Sequence, residues 1–337
     1  MKVNFSDGER DIRSVWFENG MVRMIDQRVL PSFTRVVDLL DHCQVADSIV
    51  NMTVRGAPSI GVAAAFGMVL AARNGEDLEE AADLLRGTRP TANDLFYAVD
   101  HMVNSIASGN DPLQTAQRYS DSIVKRCRLI GRHGAPLIQD GTRVITHCNA
   151  GALATVDIGT ALAPIRTAWS QGRKMFVYVS ETRPRMQGMR LTAWELMNEG
   201  IPHAIIPDGA SGHFMRQGMD LVLTGADRIA PNGDFANKIG TYEKAVLARE
   251  IEIPFYVAAP VSTFDFSIST GEDIPIEHRG EEEVTVMEGT RVAPLGSTAF
   301  NPAFDVTPSR LVSGYITELG ILEVGDIQRM KGETDDL

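Results

Sequence analysis

The chain opens with two short apolar-rich runs, SVWFE and MVRMID, on either side of Asn19-Gly20, a dipeptide that favours tight hairpin turns, so the first 30 residues predict a small strand pair. The pattern then turns helical. Phe33 to Leu40, Ile60 to Arg73, Leu78 to Leu85, Asn93 to Ile106 and Leu113 to Leu129 each space apolar residues at three or four, with Gly or Pro between them. Residues 30–133 therefore predict a helical layer. Past Gly134-Ala135-Pro136, which reads as a linker, short β-branched runs alternate with helix-like stretches. The candidate strands are RVITH (143–147), MFVYV (175–179), HAIIP (203–207), DLVLT (220–224) and PFYVA (254–258), and most of their separations accommodate a crossover helix. The expected fold class is α/β: a mostly helical N-terminal domain over 1–133 and a parallel, doubly wound sheet domain over 134–337.

Polar groups follow four of these strands directly. They are Cys148-Asn149, Ser180-Glu181-Thr182-Arg183, Asp208-Gly209 and Gly225-Ala226-Asp227-Arg228. Ligands of open α/β sheets bind outside the carboxyl ends of the strands, so these segments are expected to converge on one pocket. The alternative is turn chemistry alone, which also favours Asp, Asn and Gly.

Composition narrows the function. With 44% hydrophobic and 23% charged residues over 337 positions, disordered, collagen-like and coiled-coil classes fall away. A formal charge of −12 argues against broad binding to nucleic acid or anionic lipid, so a bound anion must meet a local positive site. The three cysteines, Cys43, Cys127 and Cys148, form no disulfide framework or CxxC pair. Neither a signal peptide nor a stretch of about 18 apolar residues is visible, and a cytoplasmic location is expected.

Cys148 precedes a small-residue loop, Asn149 to Thr155, leading toward a helix, where exposed backbone N–H groups can lower a thiol pKa; it is a candidate acid, base or nucleophile, or else a small packed residue. Cys43 and Cys127 lie in helical patterns and are assigned to packing. Asp227 sits in LTGADRIAPNGDFANKIGTYEKAV; burial would keep it protonated as a general acid, whereas its neighbour Arg228 would favour the charged form. Arg55-Gly56-Ala57-Pro58, Arg89-Pro90-Thr91 and Asn237-Lys238, the last read as starting a helix, offer cations and backbone donors for a phosphate. No GxGxxG, GxxxxGK[ST] or GxSxG is present, and the histidines form no metal pair; His147 is expected to face away from Cys148. The acidic runs Glu281–Glu283 and Glu333–Asp336 read as solvated faces or tails.

Taken together, VRGAPSIGVAAAFG, RPTANDLFYAV, THCNAGALAT, ETRPRMQGMRLTAWEL, GADRIAPNGDFANKIGTYEKAVLA, PFYVAAPVSTFD and FNPAFDVTP resemble the methylthioribose-1-phosphate isomerase family over nearly the whole chain. That family shares a superfamily with the regulatory subunits of eukaryotic initiation factor 2B and with archaeal ribose-1,5-bisphosphate isomerase. The resemblance implies a helical domain on a Rossmann-like domain, a homodimer, and conversion of 5-methylthioribose 1-phosphate into 5-methylthioribulose 1-phosphate in methionine salvage. It implies catalytic roles for Cys148 and Asp227, and substrate contacts from Arg55, Gly56, Ala57, Arg89, Gln187, Asn237 and Lys238. Neither a cofactor nor a metal is required by this chemistry, and the partner is a small sugar phosphate.

Two departures stand out: Ser180 where the family usually has Asp before ETRP, and Asp208-Gly209-Ala210-Ser211 where it often reads DNMA. Both are expected at the pocket and bear on the 5-substituent of the sugar. They motivate one alternative, the same reaction on 5-deoxyribose 1-phosphate or ribose 1,5-bisphosphate. A second alternative is a non-catalytic subunit of the initiation factor 2B type.

Overall fold

A computed structural model of the chain describes residues 1–5, 8–89 and 93–330. The polar runs β1 (Lys2–Phe5) and β2 (Gly8–Asp11) pair antiparallel, a hairpin that hydrophobic patterning does not reveal. The expected hairpin follows as β3 (Val15–Glu18) and β4 (Met21–Ile25), turning at Asn19-Gly20 with both residues at positive φ. Phe33 to Leu40 is not a helix. Val36–Leu39 instead forms β5, which pairs with β4. Two adjacent β-branched valines suit a pleated edge better than a helical turn, and a run as short as VVDL carries no period of its own.

The helices are α1 (His42–Val50), α2 (Ala57–Asn74), α3 (Leu78–Gly87), α4 (Asn93–Ala107) and α5 (Pro112–Gly134). Asp77 and Asp111 cap α3 and α5 by accepting first-turn N–H groups, and Pro112 occupies a position where no N–H is needed. α2 is apolar on all sides and forms the axis of a core with Ile60, Phe66, Met68 and Leu70 against Leu85, Leu95, Met102 and Ile123. Gly134-Ala135-Pro136 ends α5 and enters a short 3₁₀ turn over Ala135–Leu137.

The second half carries β6 (Thr142–Thr146), α6 (Ala152–Thr155), α7 (Leu162–Ser170), β7 (Met175–Ser180), α8 (Ala193–Asn198), β8 (His203–Ile206), α9 (Ser211–Arg216) and β9 (Leu221–Thr224). β10 (Arg228–Ile229), β11 (Phe235–Lys238), α10 (Thr241–Glu250), β12 (Phe255–Ala258), α11 (Glu282–Thr285), β13 (Val286–Met287) and β14 (Thr290–Arg291) follow. The chain then forms β15 (Phe304–Thr307), β16 (Gly314–Thr317), β17 (Gly320–Leu322) and α12 (Val324–Arg329). All five expected strands are present, and with β16 and β17 they form one seven-stranded sheet ordered β17-β16-β12-β9-β6-β7-β8. Every neighbouring pair is parallel except β16–β17. Val144, Val177 and Leu223 pack one face with Leu162 and Ile165 of α7, and Ile145, Val222 and Val257 pack the other with Ala245 and Ala248 of α10.

The order has one functional consequence. From β6 the chain first builds toward β7 and β8, then returns to place β9, β12 and β16 on the opposite side. The switch point therefore lies between β6 and β9, which is where an open α/β sheet leaves a crevice at its carboxyl edge. No helix among the described residues is long and apolar enough to cross a membrane.

Candidate active site

The loops after β6 and β9 carry His147-Cys148 and Gly225-Ala226-Asp227, so Cys148 and Asp227 flank the switch point. Both line a cleft of about 1320 Å³, open mouth included. Arg55, Gly56, Ala57, Arg89, Gln187, Asn237 and Lys238 line it too, so every substrate contact the resemblance implies comes to one place. Pro90 and Thr91 lie outside the described residues.

Each side chain arrives by a distinct route. Gly56 begins α2 at φ 90, and a Cβ there would lie 2.6 Å from the Ala154 backbone, so only glycine allows this close approach. No side chain among the described residues caps the first turn of α2, whose 18 residues give it a full dipole directed at the cleft. Asn237 and Lys238 do not begin a helix, contrary to the sequence expectation. They end β11, held between β10 and β15, and α10 begins only after Gly240 at φ 95. The Lys238 ammonium lies 4.2 Å from the centre of the Phe304 ring.

The cations divide into two sets. Arg185 is paired with Glu283 at 2.7 Å, and Arg279 with Glu277 at 3.0 Å. Arg55, Arg89 and Lys238 have no carboxylate within ion-pair distance among the described residues; Arg55 instead donates to the Asn149 carbonyl at 3.1 Å and to Gln27 at 3.2 Å. Burial pulls the Lys238 ammonium down to about 8, partly offset by Cys148 and Asp227 nearby. Gln187 is 7% exposed, and its Oε1 has no partner among the described residues. A buried carbonyl oxygen left this way wants a donor from a ligand.

Asp227 opens onto the cleft, yet the protein encloses it otherwise. That enclosure raises its pKa and outweighs Lys238, Arg228 and Arg89, which act in the opposite sense. Arg228 is itself paired with Asp265 at 3.0 Å. Asp227 is thus exposed to the cleft while its pKa is still raised, the protein around it outweighing the neighbouring Arg228.

The Cys148 loop differs from expectation in one respect. Two of the N–H groups that follow it are not free for the thiol: those of Ala152 and Leu153 donate to the Glu195 carboxylate at 2.8 and 3.2 Å. Glu195 also accepts from Asn149 at 2.8 Å and from Arg166 at 2.7 Å, which fastens the loop from behind. Cys43 is exposed on α1, while Cys127 is buried and its thiol is pushed up to about 12 by that burial.

Several expectations are corrected. Neither Ser180 nor Gly209-Ala210-Ser211 lines the cleft, because the Ser180 hydroxyl turns back to the Asp208 carboxylate. The departures therefore sit behind the wall, and the case they made for another 5-substituent loses its geometric basis. His147 does line the cleft, its Nε2 donating to the Ile239 carbonyl at 2.8 Å, and burial keeps it neutral. Glu283 is no solvated charge but the partner of Arg185; the run Glu333–Asp336 lies outside the described residues. Sequence reasoning missed Gln27 behind Arg55, and Asp94, Arg185, Glu277 and Arg279 at the cleft. Glu277 and Arg279 lie in an irregular segment with no local periodicity to announce them, whereas Arg185, two residues after Arg183 in the post-β7 loop, was within reach of strand-end reasoning.

The chain matches the profile of the Initiation factor 2 subunit family over residues 53–324. It is 49% identical over 323 residues to the methylthioribose-1-phosphate isomerase of Acetivibrio thermocellus, covering 90% of this chain and 94% of that one. Its identity to the protein of that name from Roseiflexus sp. (strain RS-1) is 50% over 332 residues, 92% and 94% of the two chains. The solved 5-methylthioribose 1-phosphate isomerase of Pyrococcus horikoshii superposes with a TM-score of 0.89 at 40% identity, over 97% of this chain and 96% of that one. A structure described as translation initiation factor eIF-2B, subunit delta, from A. fulgidus gives 0.88 at 41% identity, over 95% and 100%. Fold, cleft and relatives together define an enzyme of the sugar-phosphate isomerase class, an intramolecular oxidoreductase. The chain belongs to the Initiation factor 2 subunit family and, within it, to the methylthioribose-1-phosphate isomerases.

Proposed function

We propose that this protein converts 5-methylthioribose 1-phosphate into 5-methylthioribulose 1-phosphate, with Asp227 and Cys148 as its catalytic residues. The observation that carries the reading is their position on the two loops flanking the switch point, beside cations without carboxylate partners among the described residues. Arg55, Arg89, Lys238 and the N-terminus of α2 at Gly56-Ala57 take the phosphate, and Gln187 and Asn237 take remaining oxygens.

The chemistry explains why an acid is needed. The anomeric oxygen carries phosphate, so the ring cannot open by simple hemiacetal reversal. Asp227, whose proton is favoured by enclosure, protonates the ring oxygen as its bond to C1 breaks. A hydrogen then moves from C2 to C1 while the C2 hydroxyl loses its proton and becomes the ketone. Cys148 either carries the C2 proton through an enediol-like intermediate or receives the hydroxyl proton while hydride moves directly. Deuterium entering C1 from heavy water selects the first route, and full retention of the C2 hydrogen the second.

Residues 1–133 and 134–337 act in this reading as two domains that close on the substrate, since Arg55 and Arg89 come from one and Cys148, Asp227 and Lys238 from the other. A cytoplasmic homodimer completes it, checked by sedimentation. The deciding experiment is phosphorus and carbon NMR of the protein with 5-methylthioribose 1-phosphate, 5-deoxyribose 1-phosphate and ribose 1,5-bisphosphate, each repeated with Cys148→Ser. A ketose phosphate that needs Cys148 and forms best from the methylthio sugar is the expected result; silence from folded protein with all three overturns the proposal.

A further inference from the structure

Cys148 adopts φ 62, in the left-handed region that a residue with a Cβ keeps only when its surroundings hold it there. Its backbone is gripped on both sides by threonine hydroxyls. The Cys148 N–H donates to Thr182 Oγ1 at 2.8 Å, and the Cys148 carbonyl accepts from Thr192 Oγ1 at 2.6 Å. Thr182 is itself fully buried and left-handed, at φ 67. Its hydroxyl donates to the Ser180 carbonyl at 2.9 Å, which turns an oxygen lone pair toward the Cys148 N–H.

What keeps Thr182 in that conformation is the Asp208 carboxylate. It accepts the N–H of Thr182 at 2.9 Å, the N–H of Arg183 at 2.7 Å and the Ser180 hydroxyl, so one side chain from the end of β8 fixes the loop after β7. The fully buried Lys244 lies 3.9 Å from the same carboxylate, and His147 Nδ1 also lies 3.9 Å from it. None of Ser180, Thr182, Asp208 and Lys244 lines the cleft.

We infer that Thr182 is a positioning residue, which sets the direction of the Cys148 side chain through the Cys148 N–H, and that Asp208 positions Thr182. The inference rests on the proposed role of Cys148. Neither residue touches substrate. Losing the Thr182 oxygen lets the Cys148 backbone relax from its left-handed conformation, displacing the thiol while leaving the phosphate contacts intact. A displacement on the order of 1 Å at a reacting group lowers turnover by about 100-fold.

Two readouts test this, one of them independent of turnover. For Thr182→Val, kcat is expected to fall by about 10- to 100-fold with KM unchanged, while Thr182→Ser, which keeps the oxygen, restores it. Asp208→Asn should move kcat in the same direction as Thr182→Val. In parallel, iodoacetamide alkylation of Cys148 without substrate, followed on its own peptide by mass spectrometry, should change severalfold in Thr182→Val and return to the wild-type rate in Thr182→Ser. If Thr182→Val does not fold, Thr182→Ala removes the same oxygen without adding bulk. Equal alkylation rates in wild type, Val or Ala, and Ser overturn the inference, as does equal impairment of the Ser and Val variants. Absence of wild-type turnover would instead sink the proposed function, with the alkylation series still deciding the role of Thr182.

Discussion

Replacing Glu195 by Ala is expected to cost more stability than any change at the cleft surface. The Glu195 side chain is 0% exposed and serves four donors: the N–H groups of Ala152 and Leu153, Asn149 Nδ2, and the Arg166 guanidinium. After truncation Asn149 keeps Thr192 at 3.1 Å and Arg166 keeps Glu199 at 2.7 Å, but the two backbone N–H groups have no other acceptor among the described residues. Each orphaned buried donor costs about 1–3 kcal/mol. Arg166 stays paired with Glu199, so the two orphaned N–H groups set the cost, which at mid-range for each is about 4 kcal/mol.

That is a large share of a total near 5–15 kcal/mol. With a urea slope of about 3 kcal/mol/M, the midpoint should fall by about 1.3 M. Urea unfolding followed by circular dichroism measures it. Glu195→Gln keeps one carbonyl but turns an NH₂ toward existing donors, so a loss of about 2 kcal/mol is expected. A cost below about 1 kcal/mol for Glu195→Ala would refute the reasoning, because it would mean the loop after β6 is held by other contacts. A functional sign should accompany the stability loss: Asn149, released from Glu195, holds Arg55 less well, and KM rises.

Further outcomes are expected elsewhere in the site. On the proposed mechanism, Asp227→Asn removes the ring-opening proton and should lower kcat by about 10²- to 10⁴-fold, measured by phosphorus NMR; near-normal turnover would reassign the acid. If Lys238 holds the phosphate as proposed, Lys238→Met should raise KM by about 10- to 100-fold, with weaker inhibition by inorganic phosphate as an independent check. Asp94 is pushed up to about 6 by burial, so its protonated form is favoured by folding and its charged form costs stability as pH rises through that value. Asp94→Asn should therefore raise the melting temperature more at about pH 7.5 than at about pH 4, where the wild-type carboxyl is already neutral in the fold; an equal shift at both would contradict this.

The strands at the switch point were legible because each is a short β-branched or apolar run largely buried on both faces, as RVITH and DLVLT are. The helices from Ile60 onward were legible from their spacing. Val36–Leu39 was misread because an apolar run of that length satisfies strand and helix alike until a neighbour offers a hydrogen-bonding edge. The C-terminal strands β15, β16 and β17 went unforeseen for a related reason: β15 pairs with β11, β16 with β12 and β17 with β16, and no local pattern fixes where those partners lie.

Residue chemistry and local period determined on their own that this chain makes a helical layer followed by a parallel sheet, and which strand ends carry a thiol, a carboxyl and cations. Only the tertiary structure decided that Cys148 and Asp227 flank one switch point, because strand order is a property of crossovers and not of any segment. It likewise decided that Glu195 claims the N–H groups of Ala152 and Leu153 farther along the Cys148 loop, that Ser180 faces Asp208 and not the cleft, and that Arg185 and Arg279 arrive already paired. Hydrogen bonds and ion pairs act over a few ångströms, and residues this far apart in sequence reach that range only once the core has packed.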